Sequence, residues 1–271
     1  MERQSMPSPL LYELQNHTVI LTLNLPEARN PISEPEMIEA FEDAVQRINS
    51  DSQVRAVILT GAGSAFSSGG NVKHMRERSG MFGGTPAQIR QGYRHGIQRI
   101  PRAMAQLEVP AIAAVNGPAI GAGCDLTCMC DLRIASERAI FAESFVKVGI
   151  IPGDGGAWLL PRAIGMARAS EMAFTGDAID AQTALQWGLV SRVVPHNELM
   201  ETAHSLANRI VCNPPDVLRM TKKLMREGQQ QSLDALLELS ASMQALAHHT
   251  RDHEEAVAAL LEKRTGQFTG Q

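Results

Sequence analysis

The sequence lacks an excess of charge of one sign, and this absence excludes several kinds of partner. Among its 271 residues, 25 lysines and arginines stand against 29 aspartates and glutamates, which gives a net charge of −4. A balance this mild indicates neither nucleic acid nor an anionic membrane surface as a partner. The function is therefore expected to depend on a local site rather than on the overall charge.

Long hydrophobic runs are also missing. No stretch approaches the ~18 apolar residues that a membrane-spanning helix needs. Residues 1–9 contain a single arginine and no apolar segment, so no signal peptide is predicted there. These absences predict a soluble, cytoplasmic protein with no membrane partner.

Cysteines and aromatic residues are scarce. The four cysteines are Cys124, Cys128, Cys130 and Cys212, and aromatic residues make up only 4% of the chain. Three of the cysteines fall within seven residues, but neither a second cysteine pair nor spaced histidines follow, so no metal site is indicated. We expect buried thiols in a reducing compartment and a core of aliphatic side chains.

Two patterns divide the chain into residues 1–195 and 196–271. In the first part, short apolar runs alternate with glycine-rich turns and helical stretches, which predicts an α/β fold with parallel strands. The predicted strands cover residues 18–24, 54–60, 110–116, 132–135, 139–141 and 189–194. Between them, Ser33 and Glu36 fit a capping box at the start of a helix over 33–48.

Two further expectations concern helices. Residues 76–86 contain three glycines and a proline, which predicts a mobile segment, and residues 87–106 then read as one long helix. After Pro195, apolar residues spaced by three and four predict helices over 197–211, 216–227, 233–247 and 252–263. This helical region either packs on a partner subunit or folds back on its own body.

Two glycine-rich turns follow two of the buried strands. VRAVILT precedes GAGSAFSSGG, and PAIAAVN precedes GPAIGAGCD. Each turn leads into a helix, whose first N–H groups are unpaired and carry positive partial charge. Two such turns could direct two N–H groups at one oxyanion, although phosphate binding or tight packing would need similar turns. A nucleotide-binding P-loop, a dinucleotide fingerprint and a G-x-S-x-G elbow are all missing.

Six segments, in order from about residue 18 to residue 268, resemble the enoyl-CoA hydratase/isomerase (crotonase) family. They are LNLPEARNPIS, SAFSSGGNVKHM, AVNGPAIGAGCDLTCMCDLRIAS, VGIIPGDGGAWLLPRAIG, TGDAIDAQTALQWGLVSRVVP and AALLEKRTGQF. The resemblance implies a crotonase-like (ClpP/crotonase) spiral of ββα repeats with a C-terminal helical region used for trimerisation. It also implies a homotrimer or homohexamer acting on acyl-CoA, with no cofactor other than the coenzyme A of the substrate.

The resemblance also assigns binding residues. The two oxyanion N–H groups correspond to those of Gly70 and Ala122. The residues that correspond to coenzyme A or substrate binding are Glu27, Ala28, Arg29, Ser68, Asn71, Val72, Lys73, Phe145 and Lys263. Arg29 and Lys73 could contact phosphates, and Lys263 could reach those of a neighbouring subunit. Each of these cations could equally be a solvated surface charge.

The catalytic positions depart from the family pattern. The first family glutamate corresponds to Asp125, whereas the second corresponds to Phe145, which cannot transfer a proton. Glu143 or Ser144 could come close instead, but neither is a secure substitute. Asp154 is the preferred replacement, because dienoyl-CoA isomerases and chlorobenzoyl-CoA dehalogenases have an aspartate one position earlier. An N-cap role for Asp154 is the alternative.

These departures leave several reactions open. Moving a double bond needs only removal and return of a proton, so isomerisation fits the missing glutamate better than hydration, the conventional family activity. Covalent attack by Asp154 would allow thioester hydrolysis or dehalogenation. Loss of the glutamate also permits a non-catalytic acyl-CoA binder.

Overall fold

Within residues 8–271, the part of the chain that the computed structural model describes, nine strands form two sheets. The N-terminal segment for which no signal peptide is predicted lies mostly outside the described residues. In chain order the strands are β1 (Leu10–Gln15), β2 (Thr18–Leu23), β3 (Ala56–Gly61), β4 (Ala111–Val115), β5 (Ala119–Ile120), β6 (Leu132–Ser136), β7 (Ile140–Ala142), β8 (Ala178–Asp180) and β9 (Arg192–Val194). The larger sheet has the order β1-β2-β3-β4-β6-β9 and the smaller one β5-β7-β8.

Helices surround these sheets. In chain order they are α1 (Pro35–Ser50), α2 (Val72–Glu77), α3 (Pro86–His95), α4 (Arg99–Gln106), α5 (Ala122–Met129), α6 (Gly156–Ile164), α7 (Met166–Thr175), α8 (Ala181–Trp187), α9 (Leu199–Val211), α10 (Pro215–Glu227), α11 (Leu233–His248) and α12 (Arg251–Glu262). No helix in the described part of the chain is both long and apolar enough to cross a membrane.

The larger sheet is covered on both faces, which explains its uninterrupted apolar strands. Val57 and Leu59 of β3 belong to the main core, which includes Phe41 of α1. Ile58 of the same strand faces the other way and packs in a second core with Ala203 of α9. Within this sheet, β2, β3, β4, β6 and β9 pair in parallel, as predicted. Its one antiparallel strand in the described part of the chain is β1, in a hairpin with β2 that the sequence did not reveal.

The predicted capping box at Ser33 and Glu36 is wrong. Helix α1 begins at Pro35, its N-cap is Glu34, and no side chain caps it. Proline suits this first position, because its missing N–H would have no helical partner there. The Ser33 hydroxyl instead accepts a hydrogen bond from the backbone N–H of Asn71 at 3.0 Å. This bond connects the loop before α1 to the first glycine turn.

The predicted single helix over 87–106 is two helices, α3 and α4, which are separated at Gly96. The segment before them, predicted to be mobile, contains the end of α2 and a 3₁₀ turn over Gly80–Phe82. The Phe82 ring contacts Tyr93 of α3 edge to face, with centroids 6.1 Å apart. This segment therefore packs on α3 through an aromatic contact that its glycine-rich composition did not indicate.

The four C-terminal helices occur where the sequence predicts them. Their ends differ from the predicted ones by at most two residues. Helix α9 packs on the sheet, whereas α11 has no buried residue. In α10, Met225 is 70% exposed, whereas Pro215 and Lys222 are buried.

Candidate active site

The two glycine turns lie directly against each other. Ser67 and Ala119 form a parallel bridge, and the Ile120 amide donates to the Ser67 carbonyl at 3.0 Å. Gly69 adopts φ +77°, and a Cβ there would lie 2.4 Å from the Ile120 carbonyl oxygen and 2.9 Å from the Ala122 nitrogen. Only glycine permits this approach and this backbone conformation.

The two amides predicted to bind an oxyanion are free of protein acceptors. In residues 8–271 neither Gly70 nor Ala122 donates its backbone N–H to another protein group. Ala122 is the first residue of α5, where unpaired N–H groups are expected. Gly69 packs closely against the Ala122 nitrogen. The Gly70 amide, which follows Gly69 in the chain, therefore belongs to the same junction of the two turns as the second donor. The arrangement suits a site for developing negative charge.

A buried asparagine that the sequence analysis overlooked supports the first turn. Asn30 is fully buried, and its side-chain amide donates to the carbonyls of Ala62, Ala65 and Phe66. The Asn30 carbonyl also accepts from the Ser67 hydroxyl at 2.7 Å. In the sequence, Asn30 was marked only by its place in the segment LNLPEARNPIS, and no catalytic or binding pattern included it.

The predicted coenzyme A residues around the first turn form one surface. Glu27, Ala28 and Arg29 are exposed on and after a 3₁₀ turn. The Ser68 amide donates to the Arg29 carbonyl at 2.8 Å, and the Ser68 hydroxyl to that of Ala28 at 3.3 Å. These bonds join the loop of residues 27–29 to the glycine turn.

The remaining predicted binding residues divide into those near the turns and one at the end of the chain. Asn71 caps α2 by accepting from the amides of Lys73 and His74, and Val72 and Lys73 are exposed on that helix. The Phe145 ring lies 3.6 Å from the position that a Cβ on Gly121 would occupy. Lys263 is exposed at the end of α12, and the single chain gives it no contact with the turns.

Three carboxyl groups are buried next to the second turn. Asp125 in α5, Glu143 after β7 and Asp154 before α6 are 0%, 1% and 3% exposed. The packing is tight, since a Cβ on Gly156 would lie 2.0 Å from an Asp125 oxygen. The structure thus brings the two predicted catalytic aspartates together and adds Glu143, which the sequence analysis considered but did not select.

These carboxyls lack hydrogen-bond donors from the protein. In the described part of the chain, both oxygens of Asp125, both of Glu143 and Oδ2 of Asp154 have no donor. The charges of Asp154 and Glu143 both act on Asp125. Carboxylates only accept hydrogen bonds, so buried carboxyls cannot satisfy one another unless one of them carries a proton. Burial of several like charges near one another is unfavourable, which favours the protonated form of these carboxyls.

The pKa values shift in the direction that this argument requires. Burial raises the pKa of Asp125 well above its usual range, and the charges of Asp154 and Glu143 add to the effect. Burial likewise raises the pKa of Glu143 to about 7 and that of Asp154 above its usual value. Carboxyl groups with pKa values near the working pH are suited to general acid and base catalysis.

The capping role considered for Asp154 is wrong. The N-cap of α6 is Gly155, and no side chain caps that helix. Asp125 lies in the first turn of α5, but its side chain does not cap that helix either. Neither buried carboxyl is therefore explained by local helix stabilisation.

None of the cysteines forms a disulfide. All four are free, and the three in α5 and at its end are buried, as predicted, whereas Cys212 is exposed. Among residues 8–271, no three His, Cys, Asp or Glu side chains are arranged to bind a metal ion.

A cavity of about 680 Å³ extends to Gly153, the residue before Asp154. It is lined by Arg90, Tyr93, Arg94, Gln98, Gly149, Ile150, Ile151 and Gly153. The Tyr93 ring packs on Gly153, where a Cβ would lie 2.8 Å from Cε1 of the tyrosine. Burial and the Asp154 charge raise the pKa of the Tyr93 hydroxyl. The cavity thus reaches the residue next to the buried carboxyls.

The fold and the site define the class of protein. Solved structures of enoyl-CoA hydratases superimpose on almost the whole chain. The chain is therefore an acyl-CoA-processing enzyme with the crotonase fold. Enoyl-CoA hydratase from Bacillus anthracis matches with a TM-score of 0.90 and 35% identity, covering 97% of this chain and 100% of that one.

Sequence comparison gives the family. The sequence model for enoyl-CoA hydratase/isomerase matches residues 13–271. Short-chain-enoyl-CoA hydratase from Clostridium acetobutylicum is 36% identical over 94% of this chain and 95% of its own length. The 1,2-epoxyphenylacetyl-CoA isomerase from Escherichia coli is 34% identical over 96% and 98%. The chain belongs to the enoyl-CoA hydratase/isomerase family, and these relatives favour neither hydrolysis, dehalogenation nor a non-catalytic role.

Proposed function

We propose that this enzyme moves a carbon–carbon double bond in an acyl-CoA by proton transfer through a thioester enolate. The observation that carries the proposal is the buried pair Asp125 and Asp154 beside the free amides of Gly70 and Ala122, with Phe145 where relatives have a second glutamate. Isomerisation requires proton removal and return but no activated water. A site with buried carboxyls and a phenylalanine meets this requirement.

The proposed mechanism begins with binding of the thioester oxygen by the amides of Gly70 and Ala122. The Asp154 carboxylate then removes a proton from the α-carbon of a 3-enoyl-CoA, and the negative charge moves to the thioester oxygen. A carboxylic acid, Asp125, returns a proton at the γ-carbon, which leaves the double bond between the α- and β-carbons. One proton leaves the α-carbon and one enters at the γ-carbon, and exchange with solvent then takes the proton from Asp154 and returns one to Asp125, which restores the enzyme. The chemistry needs no cofactor beyond the coenzyme A of the substrate.

The substrate is proposed to bind across the first turn and into the cavity. Glu27, Ala28, Arg29 and Ser68 would face the nucleotide and pantetheine, together with Asn71, Val72 and Lys73. Phe145 would cover the reacting carbons, and the acyl chain would extend towards Tyr93 and Ile151. Lys263 would reach coenzyme A phosphates only across a subunit boundary.

Incubation with 3-enoyl-CoA and 2-enoyl-CoA thioesters tests this function. With a 3-enoyl-CoA, the absorbance of the conjugated thioester should appear, and in D₂O the product should carry deuterium at the γ-carbon. Tight binding without any change in the thioesters would contradict the proposal.

Hydration is the second candidate, and the names of the relatives favour it. The same assay in H₂¹⁸O separates the two reactions, because only hydration adds labelled oxygen to a 2-enoyl-CoA. Incorporation of ¹⁸O faster than double-bond migration would make hydration the main activity.

We also propose that region 196–271 forms the interface of a homotrimer or homohexamer. Leu260 and Leu261 of α12 are each 78% exposed in the single chain, and α11 exposes Leu233, Leu237 and Leu246. Apolar side chains grouped on helices in this way mark protein interfaces. The free, mainly buried cysteines support a cytoplasmic location, where thiols stay reduced.

The double substitution Leu260→Glu with Leu261→Glu is expected to release monomers, because it would bury charge in the interface. Light scattering after size exclusion should give a trimeric or hexameric mass for the wild type and a monomeric mass for the variant. Leu14→Glu, on an exposed position of the edge strand β1, is the matched control and should keep the wild-type mass. A monomeric wild type would refute the interface.

A further inference from the structure

Glu143 is fixed beside the second glycine turn by the smaller sheet. It directly follows β7, in which Ala142 pairs with Ile120 of β5 and with Ala178 of β8. The Gly121 amide donates to the Ala142 carbonyl at 2.7 Å, one residue before Ala122. Strand pairing on two sides therefore determines where the Glu143 carboxyl enters the core.

The surroundings of Glu143 are almost entirely acidic or weakly polar. Asp125 and Cys124 of α5 face it, and Asp154 approaches from the turn before α6. The Glu143 charge also acts on the pKa of Cys128 in α5. Neither Glu143 oxygen has a donor in the described part of the chain, and the side chain is 1% exposed. A carboxyl without donors in such a place serves no evident folding purpose.

We propose that Glu143 is a positioning residue that keeps Asp125 protonated, so that Asp125 acts as the acid while Asp154 acts as the base. A negative or hydrogen-bonding carboxyl in contact with Asp125 makes loss of the Asp125 proton more costly. Two chemically identical aspartates thereby acquire opposite roles through their neighbours. The catalytic roles of Asp125 and Asp154 in this inference rest on the proposed function, whereas the effect of Glu143 on the Asp125 proton does not.

The pH dependence of catalysis tests the proposal. Glu143→Gln preserves the shape of the side chain but removes its charge, so Asp125 should lose its proton at lower pH. The alkaline limb of the kcat profile should move down by about one pH unit or more, while KM changes little. Glu143→Asp should restore much of the wild-type profile. Glu137→Gln, an exposed glutamate in the turn between β6 and β7, is the matched control. An unchanged alkaline limb in Glu143→Gln would overturn the inference.

A measurement without turnover keeps this test separate from the proposed reaction. Infrared spectra of the resting enzyme, taken well above pH 7 where Glu143 itself is ionised, should show the carbonyl stretch of a buried protonated Asp125. That band should disappear in Asp125→Asn and weaken in Glu143→Gln. If the band is present while no acyl-CoA reacts, the proposed function fails and the role of Glu143 stands. A wild-type spectrum without the band overturns the role of Glu143, even if the enzyme is active.

Thermal stability gives a third reading. Glu143 has a pKa of about 7 in the fold against about 4.5 without it, so the folded state binds more protons between these values. Stability from this group is complete below pH 4.5 and is lost as the pH rises towards 7. The Tm of the wild type should therefore fall more steeply across this window than that of Glu143→Gln. Equal slopes would contradict the assignment.

Discussion

Replacement of Asp154 by asparagine is expected to reduce kcat on the preferred enoyl-CoA by about 10²–10⁴-fold, because a positioned general base contributes an effect of this size. Asparagine has nearly the same shape, so binding of coenzyme A should change little. Burial raises the pKa of Asp154, which makes its carboxylate a stronger base than an exposed one. Steady-state kinetics with 3-enoyl-CoA measure the effect.

Two comparisons make this result specific. Asp43→Asn changes an exposed aspartate of α1 and should keep wild-type kinetics. Asp125→Asn should also be slow but should lose the alkaline limb of the pH profile, since it removes the acid rather than the base. If Asp154→Asn kept more than about a third of the wild-type kcat, the loss would be far smaller than removal of a general base causes. The base would then be another group.

Replacement of Gly69 by alanine is expected to reduce kcat by about 10²–10³-fold, the range found when an oxyanion donor is lost. The new Cβ would lie 2.4 Å from the Ile120 carbonyl oxygen and 2.9 Å from the Ala122 nitrogen, so the two turns must separate. The Ala122 amide would then no longer point at the thioester oxygen. The loss should appear in kcat rather than KM, because the negative charge develops only during the reaction.

Gly188→Ala provides the matched control for backbone strain. Gly188 has φ +82°, close to the +77° of Gly69, but a Cβ there would meet nothing within 4 Å. Backbone strain alone should cost both variants about 1–2 kcal/mol of stability, and the steric clash should cost Gly69→Ala more. Only Gly69→Ala should also lose turnover. Equal kinetic losses in both variants would attribute the effect to strain and not to the oxyanion site.

The sequence predicted the sheet and the C-terminal helices well because their signals are local. Residues 56–59 and 111–115 are continuous apolar runs, and the helices after Pro195 have regular apolar spacing. The hairpin of β1 with β2 escaped notice because β1 has a mixed pattern, with Leu11 and Leu14 exposed. The break at Gly96 likewise depends on packing of α3 against Met81, which a helical pattern does not record.

The site was predictable in its backbone but not in its charge balance. The glycine-rich turns after two strands are visible in the sequence, and the family resemblance, not the turns alone, assigned the amides of Gly70 and Ala122. Glu143 could not be selected, since the sequence does not show that β7 ends at Ala142 and directs the next side chain into the core. The raised pKa values of the carboxyls follow from Asp125, Glu143 and Asp154, which lie on separate elements, becoming buried together. That property exists only in the folded protein.

The most direct test of the account is a crystal structure with a bound, unreactive acyl-CoA. The thioester oxygen should lie about 2.7–3.1 Å from both the Gly70 and the Ala122 nitrogen atoms, as in other oxyanion sites. An Asp154 oxygen should lie within about 3.5 Å of the α-carbon, the distance of reacting atoms in a near-attack geometry. A thioester oxygen bound by any other groups, with those two amides directed at solvent, would contradict the account.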